Sequence, residues 1–167
     1  MKTRIPIDEL PEKYKPLVKE IAELIDTDML CFLNPEIDEI DYIPQSIYNE
    51  MDFFEEEEEA IKHLKDYGWE TVEFINWERY IKFEPLTSHD AFNIMEAFAL
   101  QLDDNEKGRP RLINALRNRK PFANFNHIVH NCHLREEWLV FKQEWLEKEV
   151  AAQLLAELES FEGNTAI

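Results

Sequence analysis

Apolar and polar positions follow several distinct rhythms along this chain, and each rhythm predicts an element. From 9 to 26, Tyr14, Leu17, Val18, Ile21, Leu24 and Ile25 recur at three and four residues, which puts them on one face of a helix. Pro11 suits a first turn, but Pro16 inside a helix would remove a backbone bond. Regular helix is therefore expected from near Lys15. Residues 28–33 and 37–43 read as a hairpin. The first is a short apolar run, Asn34-Pro35-Glu36 supplies turn chemistry, and the second alternates. Ile40 and Tyr42 fall on one face with Asp38, while Ile37 and Ile43 share the other with Glu39 and Asp41.

Pro44 stops this strand. Ser46 is placed to cap a helix running to about Tyr67, with Ile47, Met51, Phe54, Ile61 and Leu64 on one side and Gly68 as its terminator. Residues 69–75 fit either a strand or a helical turn. Residues 79–84 alternate as a strand and end at Pro85. Thr87 or Ser88 then caps a helix whose stripe is Ala91, Ile94, Met95, Phe98, Ala99 and Leu102. Leu112, Ile113 and Leu116 mark a short amphipathic helix, and Phe122, Phe125, Ile128 and Val129 mark another, opened by Pro121. The longest pattern runs from 134 to 158 through Leu134, Trp138, Phe141, Trp145, Ala152 and Leu155. At about 1.5 Å per residue it outreaches a compact domain of this size, so its distal part, 150–158, is expected to overhang and seek a partner. The fold class is α+β: a small antiparallel sheet, the hairpin plus one further strand, covered by helices, with a helical C-terminal half. One globular domain is expected over 1–160, with a flexible tail over 161–167.

Charge changes this picture. The chain of 167 residues carries 36 acids and 18 bases, a formal net charge of -18. An acidic chain of this kind repels bulk nucleic acid and anionic membrane. The acids are concentrated, with eleven and no Lys or Arg between 36 and 59. Conversely, 107–120 holds six bases and no acid. Cys31 and Cys132 do not make a disulfide framework and read as free thiols in a reducing compartment, although a single bridge stays compatible with the sequence. The basic start lacks an apolar run behind it, and no stretch approaches the length of a membrane span. A cytoplasmic location with no membrane contact is expected.

Several of these segments resemble a known family. Arg79-Tyr80-Ile81-Lys82-Phe83-Glu84-Pro85-Leu86 is followed by the helix from Ser88 through Ile94-Met95-Glu96-Ala97-Phe98. Leu112, Ala115, Leu116, Arg119, Pro121, Phe122 and Phe125 form a second signature, and Trp138-Leu139-Val140-Phe141 a third. Together, over about 28–146, they resemble an uncharacterised bacterial protein family, UPF number 0158. The resemblance implies a fold and a bacterial origin, and no activity. The chain departs from the pattern at Asn118 and Lys120, where the family favours glycine, and at Leu139 in place of tyrosine. A role of those glycines in close approach to a ligand is not expected to extend to this chain.

Candidate chemistry is sparse. Lys107, Arg109, Arg111, Arg117, Arg119 and Lys120 form a candidate basic patch for phosphate or nucleic acid. The competing reading is a solvated face paired with the protein's own acids. Phe122 and Phe125 are stacking candidates there, though aromatic residues at spacing three more often belong to a core. The acids of 50–59 could dock a basic partner or the basic run of a second copy; otherwise they form a solvated face. His127, His130, Cys132 and His133 are metal-ligand types at poor spacing for one site. His89, Asp90 and Glu96 lack a nucleophile, and capping accounts for Asp90. Cys31 reads as core rather than as a nucleophile. No phosphate loop, dinucleotide fingerprint or zinc-protease motif is present.

These residues imply no metal, cofactor or catalytic group. The function they favour is a non-enzymatic protein-interaction or regulatory module acting through the basic run and the long terminal helix. A homodimer through that helix is one expected form. The alternatives are weak nucleic-acid binding through 107–120 and an enzyme of unrecognised type.

Overall fold

The computed structural model describes residues 6–50, 56–66 and 80–165. The architecture is α+β, as expected, with a three-stranded antiparallel sheet and a long terminal helix. The chain divides into two compact units. Met1–Pro85 and Glu147–Ile167 form a sheet unit, and Leu86–Leu146 form a helical unit.

In the sheet unit, the short helix α1 (Pro6–Glu9) and a 3-10 turn (Glu12–Tyr14) precede α2 (Lys15–Asp26). The regular helix begins where Pro16 allows it, with the proline in the first turn. Val18, Ile21, Ala22 and Ile25 are its buried face. Asp28 takes a left-handed φ of 64° and turns the chain into β1 (Met29–Asn34). β1 pairs with β2 (Glu39–Pro44), Asn34 opposite Glu39, and on its other side with β3 (Ile81–Phe83). The hairpin turn is built by Asn34. Its Oδ1 accepts from the Glu36 N–H at 3.0 Å, and its carbonyl accepts from the Asp38 N–H at 2.9 Å.

As the central strand, β1 is covered on both faces, and Leu30, Cys31, Phe32 and Leu33 are all buried. Burial pushes the Cys31 thiol up to about 12, with Glu20 adding to the effect. Ile43 turns inward from β2 while Tyr42 faces out. Burial and then Glu39, which shares its face, raise the Asp41 carboxyl above its ordinary value.

Two helices follow β2 where one was expected. α3 (Gln45–Glu50) begins directly at the strand end, so Ser46 lies in its first turn and does not cap it. Glu56 forms a bend before α4 (Glu57–Asp66). The expected residues Met51, Phe54 and Gly68, and the ambiguous 69–75, lie outside the described residues.

The helical unit contains α5 (Ser88–Gln101), α6 (Gly108–Leu116), α7 (Pro121–Asn131) and the first part of α8 (Arg135–Thr165). Thr87 is the cap of α5, its Oγ1 accepting from the Asp90 N–H at 3.1 Å. The core is aromatic. The Phe98 ring lies 6.2 Å from Phe125, 5.3 Å from Trp138 and 5.4 Å from Phe141, all edge-on. Gly108 lets α6 begin against Leu134, whose Cδ1 would lie 2.7 Å from a Cβ at that position.

The long helix corrects the expectation of an overhang. Past Leu146 its inward residues are Val150, Ala151 and Leu154, all buried, while Ala152 is exposed and Leu155 only half-buried. Gln153 also donates to the Lys82 carbonyl of edge strand β3 at 2.7 Å. The distal half is part of the sheet unit and does not project from it. The helix itself continues to Thr165, into the segment read as a tail.

Lys120, just before α7, has φ 54° and ψ 55°. This is the position where the family pattern favours glycine, and the left-handed backbone supplies the reason. Asn118 is not left-handed; its side chain donates back to the Asn114 carbonyl at 2.6 Å. A Lys120→Gly substitution is expected to raise stability by about 1 kcal/mol, since a Cβ is disfavoured in this conformation. An increased urea midpoint at unchanged slope would show it, and a lowered midpoint would refute it.

Candidate interaction surface of the helical unit

Helix geometry separates Arg109 from the other cations of the basic run. Arg109 and Arg111 are two residues apart on α6, about 200° around the helix. Arg109 is drawn to Asp104 at 3.3 Å and is mostly covered. Arg111 turns the other way, into an open groove of about 240 Å³ that it lines with Asn114, Asn118, Asn124 and His127. Arg117, Arg119 and Lys120 lie exposed at the turn between α6 and α7, and Lys107 is exposed at the N-terminus of α6. Among the described residues, Lys107, Arg111, Arg117, Arg119 and Lys120 form no ion pair. Among the described residues, the reading in which the run pairs with the protein's own acids therefore describes Arg109 alone.

The two aromatic residues of this segment separate as well. Phe125 is fully buried in the aromatic core. Phe122, expected there too, is 36% exposed one turn earlier, next to the cations. Every residue between Glu106 and Glu136 is other than Asp or Glu, so the acid-free stretch extends well past Lys120. It includes all of α7, whose outer side presents Asn124, Asn126, His127, His130 and Asn131.

The units differ sharply in charge. The helical unit holds eight acids and eight bases, the sheet unit 28 and 10. The whole formal charge of -18 thus belongs to the sheet unit. Glu56, Glu58 and Glu59 are exposed there, and Glu50 pairs with His63 at 2.7 Å.

The remaining candidates do not assemble. His127 shares a hydrogen bond with Asn131 at 2.9 Å, and His133 sits in a left-handed turn after Cys132. Among the described residues, no three His, Cys, Asp or Glu come together in a way that could hold a metal ion. His89, Asp90 and Glu96 are exposed on α5. Cys31 and Cys132 are free thiols, one in each unit. No helix among the described residues is long and apolar enough to cross a membrane.

What this fold and surface define is an α+β protein with a neutral helical unit that carries a cationic turn without an ion pair among the described residues. A family model matches residues 14–161, and the chain belongs to the uncharacterised protein family UPF0158. No curated protein and no solved structure gives a significant match. Many of the residues that carry the family resemblance are core. Ile81, Phe83, Ile94, Met95, Phe98, Leu112, Ala115, Leu116, Phe125 and Trp138 are all buried. These positions describe how the chain packs, while Phe122, Leu139 and Val140 are large apolar residues of the same signatures that stay exposed.

Proposed function

We propose that this protein is a non-enzymatic interaction module of the bacterial cytoplasm that docks an acidic protein partner on the turn between α6 and α7. The observation that carries this reading is the exposed cluster Arg117, Arg119 and Lys120, without an internal carboxylate partner among the described residues, beside the exposed ring of Phe122. Cations that lack partners are available to an outside anion, and an aromatic side chain next to them supplies an apolar anchor. A regulatory role follows if docking there displaces another ligand of the same partner. Dimerisation through distal α8 has no place in this reading, because Val150, Ala151 and Leu154 are buried. Charge reversal tests it. Arg117→Glu with Arg119→Glu should abolish capture of the partner from cell extract, and an unchanged set of captured proteins would end the proposal.

The charge partition favours one second reading. A neutral helical unit is not itself repelled by nucleic acid, and the outward amides and imidazoles of α7 suit contacts to phosphates and base edges. This reading requires an affinity for a labelled oligonucleotide that falls steeply with salt. An anisotropy titration that stays flat at low salt would remove it.

A further inference from the structure

A second groove of the helical unit, between α7 and α8, has a chemistry of its own. It encloses about 300 Å³, the lower end of the range for small-molecule sites. Its polar lining includes His130, Arg135 and Lys142, and its apolar lining is Val129, Trp138 and Leu139. Among the described residues, no carboxylate lines it. Arg135 and Lys142 are seven residues apart, so they fall on the same side of α8 two turns from each other, with Leu139 between them. The Lys142 ammonium lies over the Trp138 ring, 5.5 Å from its centroid.

The carboxylates of this stretch of α8 point elsewhere. Glu136, Glu137 and Glu144 line the groove on the α5 side, together with Val140 and Phe141. Between Arg135 and Glu144 the helix therefore sorts its charges by face, acids toward α5 and cations toward α7. Arg135 lies beyond the basic run that the sequence singles out, and Lys142 stands among glutamates.

We propose that the α7–α8 groove binds a small phosphate monoester carrying a planar or apolar body. The phosphate is held by Arg135 and Lys142, with His130 as a further donor from α7. The body rests on Val129, Trp138 and Leu139. A guanidinium presents paired donors to phosphate oxygens, and a lysine adds a point charge. An apolar floor between the two cations distinguishes such a ligand from bare phosphate, which would leave that surface wet.

The site is independent of the docking turn at Arg117–Lys120, so either can fail alone. The test is a titration of the full chain with phenyl phosphate, followed by ¹H–¹⁵N spectra. Saturable shifts are expected at the Trp138 indole N–H and at the backbone amides of Leu139 and Lys142. Inorganic phosphate should bind about tenfold more weakly, and benzoate also more weakly than phenyl phosphate. Arg135→Gln with Lys142→Gln should weaken phenyl phosphate about tenfold or more. Leu139→Glu, at an exposed position that tolerates a charge, should do the same by placing a carboxylate in the groove. Glu136→Gln with Glu144→Gln, on the opposite face, should not weaken binding. The proposal is overturned by the absence of saturable shifts, by tighter binding of benzoate than of phenyl phosphate, or by unchanged affinity in the folded Leu139→Glu protein.

Discussion

Phe98→Ala is expected to destabilise the helical unit by about 3–5 kcal/mol. The ring is 1% exposed and meets Phe125, Trp138 and Phe141 at once. Its removal leaves a cavity bounded by three stiff aromatic rings, which cannot collapse around it as aliphatic chains can. The edge-on geometry of these pairs adds to the loss, since each such contact contributes about 0.5–1.5 kcal/mol beyond area burial. A loss of this size is comparable with the whole stability of a small domain. Urea unfolding followed by tryptophan fluorescence measures it. A shift worth less than about 1 kcal/mol would mean that these rings are not the organising core.

The second large effect separates two neighbours on α8. Leu154→Ala is expected to cost about 3 kcal/mol, and Leu155→Ala less than about 1 kcal/mol. Leu154 is fully buried, while Leu155 is half-buried. The apolar pattern of the sequence ranks these two the other way, because it places Ala152 and Leu155 on the inner face. Thermal or urea denaturation of the two variants decides between the rankings. Equal losses would mean that the distal helix is held less specifically than its burial shows.

That reversal shows what the sequence can and cannot carry. The series Trp138, Phe141, Trp145, Ala152 and Leu155 extends one near-seven-residue repeat along the whole helix, and its drift over two heptads is only about 40°. After Leu146, however, α8 belongs to the sheet unit, where it buries Val150, Ala151 and Leu154, mostly on the other side from Ala152. Local features were legible because their causes are local. Pro16 set the start of α2, Asn34 and Pro35 built the hairpin turn, and Thr87 capped α5. The single helix expected over 46–67 was less so, since an unbroken acidic and apolar pattern does not reveal the bend at Glu56.

The candidate sites divide in the same way. Linear proximity grouped six cations, but helix geometry sends Arg109 to Asp104 and leaves the others outward. Proximity along the chain did not pair Arg135 with Lys142. They are separated by six residues that include two glutamates, and only the helical repeat brings the cations onto one side. A search for like charges at a spacing of seven, with an apolar residue between them, would have found the groove. The exposure of Phe122 had no such signal, because its spacing from Phe125 is what a buried pair would also show.

The placement of the two thiols has a practical consequence. Cys31 lies at the centre of the sheet with its ionisation suppressed by burial, so it cannot meet an alkylating reagent while β1 stays paired. Cys132 marks the end of α7 in the other unit. Cys132 is only half-buried and reacts without such an opening, so it serves as an internal reference. The rate at which iodoacetamide modifies Cys31, read against Cys132, reports how often the sheet opens. Mass spectrometry of the two peptides would follow both rates in one unmodified sample.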